Sequence, residues 1–248
     1  MAERAADPAA APAFYALRAG GWRDFVSILH PPYTAWHLSY VCLGWAAAPA
    51  AHTDRLVVTL IAFFLAVGIG AHALDELNGR PLQTRIPSAT LGALAVVSIA
   101  LAVTLGIAGA ARTSWWLLAF VGFGGFIVCA YNLEWFGGRF HGDAWFAIAW
   151  GAFPALTAAW ANGTRFTVAG VLVAAACFAV SHAQRTLSTP VRDLRRRTRR
   201  VAGTITRSDG SVVALDAEVL RAAPESALRW LSLAMPLLAG AAVAAKLL

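Results

Sequence analysis

Seven stretches of mostly apolar residues, each close to the roughly 20 that a bilayer core requires, fill most of this 248-residue chain. They run over Tyr33–Ala51, Arg55–Leu74, Ala89–Ala110, Ser114–Leu133, Ala144–Ala161, Phe166–His182 and Ala227–Leu248. Backbone polar groups in lipid must be satisfied within the segment, so such runs can only be helices. The expected fold is therefore all-α, a polytopic transmembrane helical bundle of about seven helices. Composition agrees: 13% of residues are charged, against roughly 25% in soluble domains, and mean hydropathy is +0.62. The three cysteines lie in apolar runs and read as packed thiols.

The connections set an orientation. The loops after the second, fourth and sixth runs carry Arg80, Arg85, Arg139, Arg185, Arg192, Arg195, Arg196, Arg197, Arg199 and Arg200, while the opposite loops carry Arg55, Arg112 and Arg165. The positive-inside rule places the first set, and the N-terminus, in the cytoplasm. The expected location is a bacterial cytoplasmic membrane. Residues 1–32 read as a tail followed by an interfacial amphipathic helix over Phe14–Leu29, ended by Pro31-Pro32; MAERAADPAAAPAF makes a poor signal peptide, since charge and proline break it, and is expected to stay attached and partly disordered. Residues 33–187 hold the first six spans, 188–226 a cytoplasmic loop, and 227–248 the last span. Within the loop, VAGTITRSDGSVVALD alternates around Asp209-Gly210 and predicts a small β-hairpin, with a short helix over Ala217–Ala223. The net charge of +7 comes from 19 arginines and one lysine, with the densest cluster in this loop, which suits anionic membrane lipids as partners and argues against nucleic acid.

Chemistry concentrates at the end of the second run. AHALDELNGRPLQTRIPS puts His72, Asp75 and Glu76 within five residues, and positions i, i+3 and i+4 share one helix face. Ionisable groups where a membrane helix meets water are costly and point to function. The sixth run ends in Ser181-His182-Ala183, echoing Ala71-His72-Ala73, and both are followed by arginine and proline. This suggests a duplicated bundle with one histidine from each half near a central cavity.

Order and placement of several motifs resemble the UbiA superfamily of intramembrane prenyltransferases. The pieces are HPPYTAWHLSYVCLGWA in the first span, LDELNGRPLQTRIPS after the second, AYNLEWFGGRFHGDAWFAIAWGAFPALTAAWA around the fourth and fifth, and RTLSTPVR after the sixth. The resemblance covers Pro31 to about Arg192 and implies two Asp-rich motifs on the cytoplasmic side. The chain departs from both. In the family's N-D-x-x-D-x-x-x-D, Ala71 replaces Asn, His72 the first Asp and Gly79 the last, while Asp75 is kept and Glu76 is added. In the second motif the acids are absent; His182 stands near their place and Arg185 remains. The family also usually has nine helices.

Three functions follow. A UbiA-like enzyme would act on an isoprenoid or similar lipid by prenyl transfer, or by related allylic-diphosphate cyclisation or lysis. It would use Mg²⁺ on Asp75 and Glu76, with Arg80, Arg185, Arg192, Tyr131 and Asn132 around the diphosphate. A membrane metalloenzyme on the same scaffold would use Fe, Zn, Cu or Mn, since imidazole suits such ions better than Mg²⁺; its ligands would be His72, Asp75, Glu76 and His182, with His37, Glu134 or His141 completing the set. A non-catalytic relative would simply bind lipid. Three of the histidines also have a plainer reading: His30 as a surface residue, His37 as helix packing and His141 as a loop residue.

Overall fold

The computed structural model describes residues 12–248; the expectations for residues 1–11 lie outside them. Helix α1 is short, Trp22–Ile28, where an interfacial helix over Phe14–Leu29 was expected. Residues 12–20 instead form an extended and turning strap. Then follow α2, Pro31–Ala46; α3, Thr53–Leu77; α4, Ser88–Arg112; α5, Leu117–Asn132; α6, Asp143–Gly163; α7, Val168–Arg196; and α8, Ala217–Leu247. The chain is an all-α bundle of membrane-protein type. Among the described residues, α3, α4, α6, α7 and α8 are long and apolar enough to cross a membrane. Helices α2 and α5 have 16 residues each, short of a full span, although they fall where the apolar runs predict them.

Two prolines act differently from what the sequence suggests. Pro31 opens α2, where a missing N–H costs nothing. Pro190 lies inside α7, which continues through it to Arg196. The expected loop over 188–226 therefore shrinks at both ends. The helix expected at Ala217–Ala223 is the first part of α8, which runs through Pro224. What remains between α7 and α8 holds the hairpin: β1, Gly203–Thr206, pairs antiparallel with β2, Val212–Leu215, in the register Gly203 to Leu215. Gly210 supplies the turn's left-handed residue at φ 84°.

Lipid gives helices no hydrophobic reason to associate, so close packing of small residues has to do it. Helix α2 is the centre. Trp36, Tyr40 and Trp45 are fully buried, and α2 packs on α6 and α8. At Gly44 the α6 backbone comes so near that an added Cβ would sit 2.0 Å from the Ala155 carbonyl oxygen. Gly151 plays the same part between α6 and α7, where a Cβ would meet the Cys177 carbonyl at 2.6 Å.

Two helices contain a π-helical turn, Phe64–Ala71 in α3 and Ala147–Ala152 in α6. Such turns often mark functional sites. Both lie beside the cavity described below. The far end of the bundle is tied by Arg55 donating to the Ala161 carbonyl and Lys246 to the Ala48 carbonyl.

Gly44→Ala should destabilise the protein by about 1–3 kcal/mol through overpacking. Gly92→Ala, whose Cβ would meet open space, should be neutral or slightly stabilising. Thermal unfolding in detergent reads the difference.

Candidate functional site

At the arginine-rich end, the chain leaving α3 turns back on itself. Gly79, Arg80 and Gln83 all take positive φ. The turn is held by Glu76, which is 1% exposed. Its carboxylate accepts from the Leu82 N–H at 2.9 Å, the Thr84 N–H at 2.8 Å and the Thr84 hydroxyl at 2.9 Å. Arg80 closes the same loop, donating to the Thr84 and Ile86 carbonyls and the Ser88 hydroxyl. Glu76 therefore serves the loop and is not a cavity ligand, contrary to expectation. Arg80 reaches the cavity wall but spends its guanidinium on backbone. A second carboxylate, Asp24, is buried and ties the strap to this loop by accepting the Gly20 and Arg85 N–H groups.

One residue earlier, a rotation of about 100° along the helix turns Asp75 the other way. It lines a cavity of about 700 Å³ walled by the strap, α2, α3, α5, α6 and α7. Among the described residues the Asp75 carboxylate makes no hydrogen bond or ion pair. Arg192, Arg196 and His141 lie within electrostatic reach of it. Arg192 donates to the Thr189 hydroxyl at 3.2 Å and Arg196 to the Pro12 carbonyl at 3.1 Å, both neutral partners. Arg185 is paired with Asp143 at 2.7 Å and lies over the Phe146 ring. Arg195 is paired with buried Glu225.

Four histidines line the cavity. Nδ1 of His37 meets the Trp150 carbonyl at 2.9 Å, that of His72 the Gly68 carbonyl at 3.1 Å, and that of His141 the Tyr131 carbonyl at 2.9 Å. His30 stacks on His72 with ring centroids 4.1 Å apart, and its Nδ1 meets the Tyr15 hydroxyl at 2.8 Å. Burial pushes the Tyr15 phenol up and His30 well below the usual imidazole range, with the neighbouring His72 as a further cause for His30.

The expected pairing of His72 with His182 does not form. His182 is exposed, beside the Phe178 ring, and does not reach the cavity. Ser181 faces the core against α6, so the next residue is turned away from it. Gln184, one turn on from Ser181, takes the cavity position instead. The Ala-His-Ala and Ser-His-Ala triplets are thus not structural equivalents. Tyr131 and Asn132 do line the cavity. The Tyr131 hydroxyl and the Gln184 Oε1 are both buried without a partner. Asn132 donates to the Val128 carbonyl, and its own carbonyl accepts from Asn78. Glu134 stands exposed at the rim.

Among the described residues no three His, Cys, Asp or Glu side chains are grouped to hold a metal ion. With Glu76 committed to the loop and His182 outside, the anticipated ligands that line the cavity are His37, His72, Asp75, Glu134 and His141. Sequence reasoning missed Gln184, Arg196, His30 and Tyr15. The first two belong to a stripe on α7, with Ser188, Val191, Arg192 and Arg195, whose helical spacing is readable once the helix is carried through Pro190. Comparison with protein families, with curated proteins and with solved structures gives no match.

Replacing Glu76 with alanine should strip three buried donors of their acceptor, at a cost of about 3 kcal/mol. The loop over 78–87 should become the first site of limited proteolysis. His30 gives a pH dependence. The unfolded chain takes up its proton below about pH 6.5 while the folded chain does not, so stability is full above that pH and is lost as pH falls. The thermal midpoint should drop below about pH 6.5, less steeply in His30→Asn.

Proposed function

We propose that this membrane protein binds a lipid with a phosphate or diphosphate head, of the isoprenoid kind, and acts on it by prenyl transfer or related allylic-diphosphate chemistry. The observation that carries the reading is the junction of two spaces. The polar cavity shares Val67 and Trp150 with an apolar pocket of about 280 Å³ between α3, α4, α5 and α6. Phe63, Phe120 and Phe153 line that pocket. A cationic, hydrogen-bonding space thus adjoins an aromatic one, which matches an amphiphile's head and chain.

In this reading Arg192 and Arg196 exchange neutral partners for phosphate oxygens. Charge-assisted bonds are roughly twice as strong as neutral ones. The Tyr131 hydroxyl, otherwise unpartnered, donates to the same head. The two cations offset charge developing on a diphosphate leaving group. Asp75 lies beside them as an unpaired carboxylate, available to take up a proton. The positive-inside pattern and the UbiA resemblance support a cytoplasmic mouth and an isoprenoid chain. A second reading, binding without turnover, is favoured by the single cavity-facing acid left on α3 after Glu76 is committed to the loop.

Geranylgeranyl diphosphate should quench tryptophan fluorescence of the purified protein through Trp150. Arg192→Ala should weaken binding about 10- to 100-fold, the loss expected for one charged hydrogen bond. Release of inorganic diphosphate, abolished in Asp75→Asn, marks the enzyme; binding without release marks the second reading. Failure of the wild type to bind overturns both.

A further inference from the structure

The cavity histidines share a pattern that phosphate binding leaves unexplained. His37, His72 and His141 come from three separate parts of the chain, yet each sets Nδ1 against a backbone carbonyl. A carbonyl only accepts, so each Nδ1 carries the proton. With Nδ1 carrying the proton, a ring that holds no second proton presents Nε2 as a lone pair. Two of the three carbonyls, Gly68 and Trp150, belong to the π-helical turns of α3 and α6. Among the described residues no side chain or N–H donates to any of these Nε2 atoms. Gln184 adds a fourth acceptor, since its Oε1 is buried without a partner.

The same cavity therefore holds arginines that need an anion and acceptors that repel one. A phosphate oxygen facing an imidazole lone pair would oppose it, so the phosphate belongs with Arg192 and Arg196. The acceptors need O–H or N–H donors. An ammonium group would enter a cavity already rich in arginine, at electrostatic cost, whereas a hydroxyl donates without charge. Water supplies the donors before a ligand enters, and a ligand that displaces it must replace its hydrogen bonds.

We infer that the cavity also accepts a second ligand, distinct from the allylic diphosphate, that carries several hydroxyls beside a phosphate, donating to Nε2 of His37, His72 and His141 and to Oε1 of Gln184. The ligand class is a polyol or sugar phosphate. This rests on the phosphate-binding reading above and adds a separate recognition element to it.

Two probes of one size separate the elements: myo-inositol 1-phosphate, and cyclohexyl phosphate, which keeps the ring and the phosphate but lacks the hydroxyls. Titrations of the full-length protein in nanodiscs follow tryptophan fluorescence. The wild type should bind the polyol at least about tenfold more tightly, because a site built for hydroxyls discriminates against a ligand lacking them. His72→Leu and His141→Leu should each erode that preference severalfold while still binding cyclohexyl phosphate, which also shows that the variants fold. His72→Gln, which returns an acceptor near Nε2, should restore part of it. Equal wild-type affinity for the two probes, or an undiminished preference in both leucine variants, overturns the inference while the phosphate site stands. No binding of either probe overturns the phosphate site and this inference together.

Discussion

The carboxylate of Glu76 is the contact on which the arginine-rich end depends. Its three hydrogen bonds to Leu82 and Thr84 fold the segment after α3 back against the helix end. A buried carboxylate persists only when its oxygens are satisfied, and here the loop backbone does that. Because Glu76 points into the loop, Asp75 points into the cavity and His72, one turn earlier, stands beside it. The same fold of the chain sets Asn78 against the end of α5 and brings Arg85 to Asp24 at the base of the strap. Adjacent acids thus divide the work, one holding the wall and one facing the space within it.

The two π-helical turns make a second division. Apolar membrane helices offer cavity side chains few polar partners apart from their own backbone. Gly68 and Trp150, within those turns, present carbonyls to His72 and His37. The turns thus fix the hydrogen-bonding state of the ring without introducing another ionisable group. Trp150 in addition lines both the polar and the apolar space.

Helix positions were legible in the sequence because hydrophobic length is a one-dimensional property. The expected spans fall on α2 to α8, and the hairpin lies where Asp209-Gly210 puts it. The ends were not legible where a helix continues through polar residues. Helix α7 runs on past its apolar part to Arg196, and α8 starts in polar sequence at Ala217, since neither Pro190 nor Pro224 breaks its helix. The candidate site was legible in part. His37, His72, Asp75, Tyr131, Asn132, Glu134, His141, Arg185 and Arg192 all line the cavity. Glu76 and His182 do not, and in each case the reason is rotation about a helix axis. A motif fixes spacing along the chain, whereas a residue's direction depends on what packs against the helix. Ser181 against Gly151 decides the direction of His182, and Thr84 decides that of Glu76.

Charge balance differs between the walls of the cavity and its interior. Arg195 has Glu225 and Arg185 has Asp143, so those cations are compensated. Among the described residues Arg192 and Arg196 donate to a hydroxyl and a carbonyl, and the Asp75 carboxylate has no hydrogen-bond or ion-pair partner. A cation withdrawn from water without a counter-ion is destabilising, and a protein seeking stability alone would pair Asp75 with one of these arginines. Here the carboxylate and the two guanidinium groups instead face one space without a direct pair between them. The pairs that complete the bundle and the charges left unpaired inside it are therefore parts of one arrangement: the first fix the walls of the cavity, and the second keep its interior electrostatically incomplete.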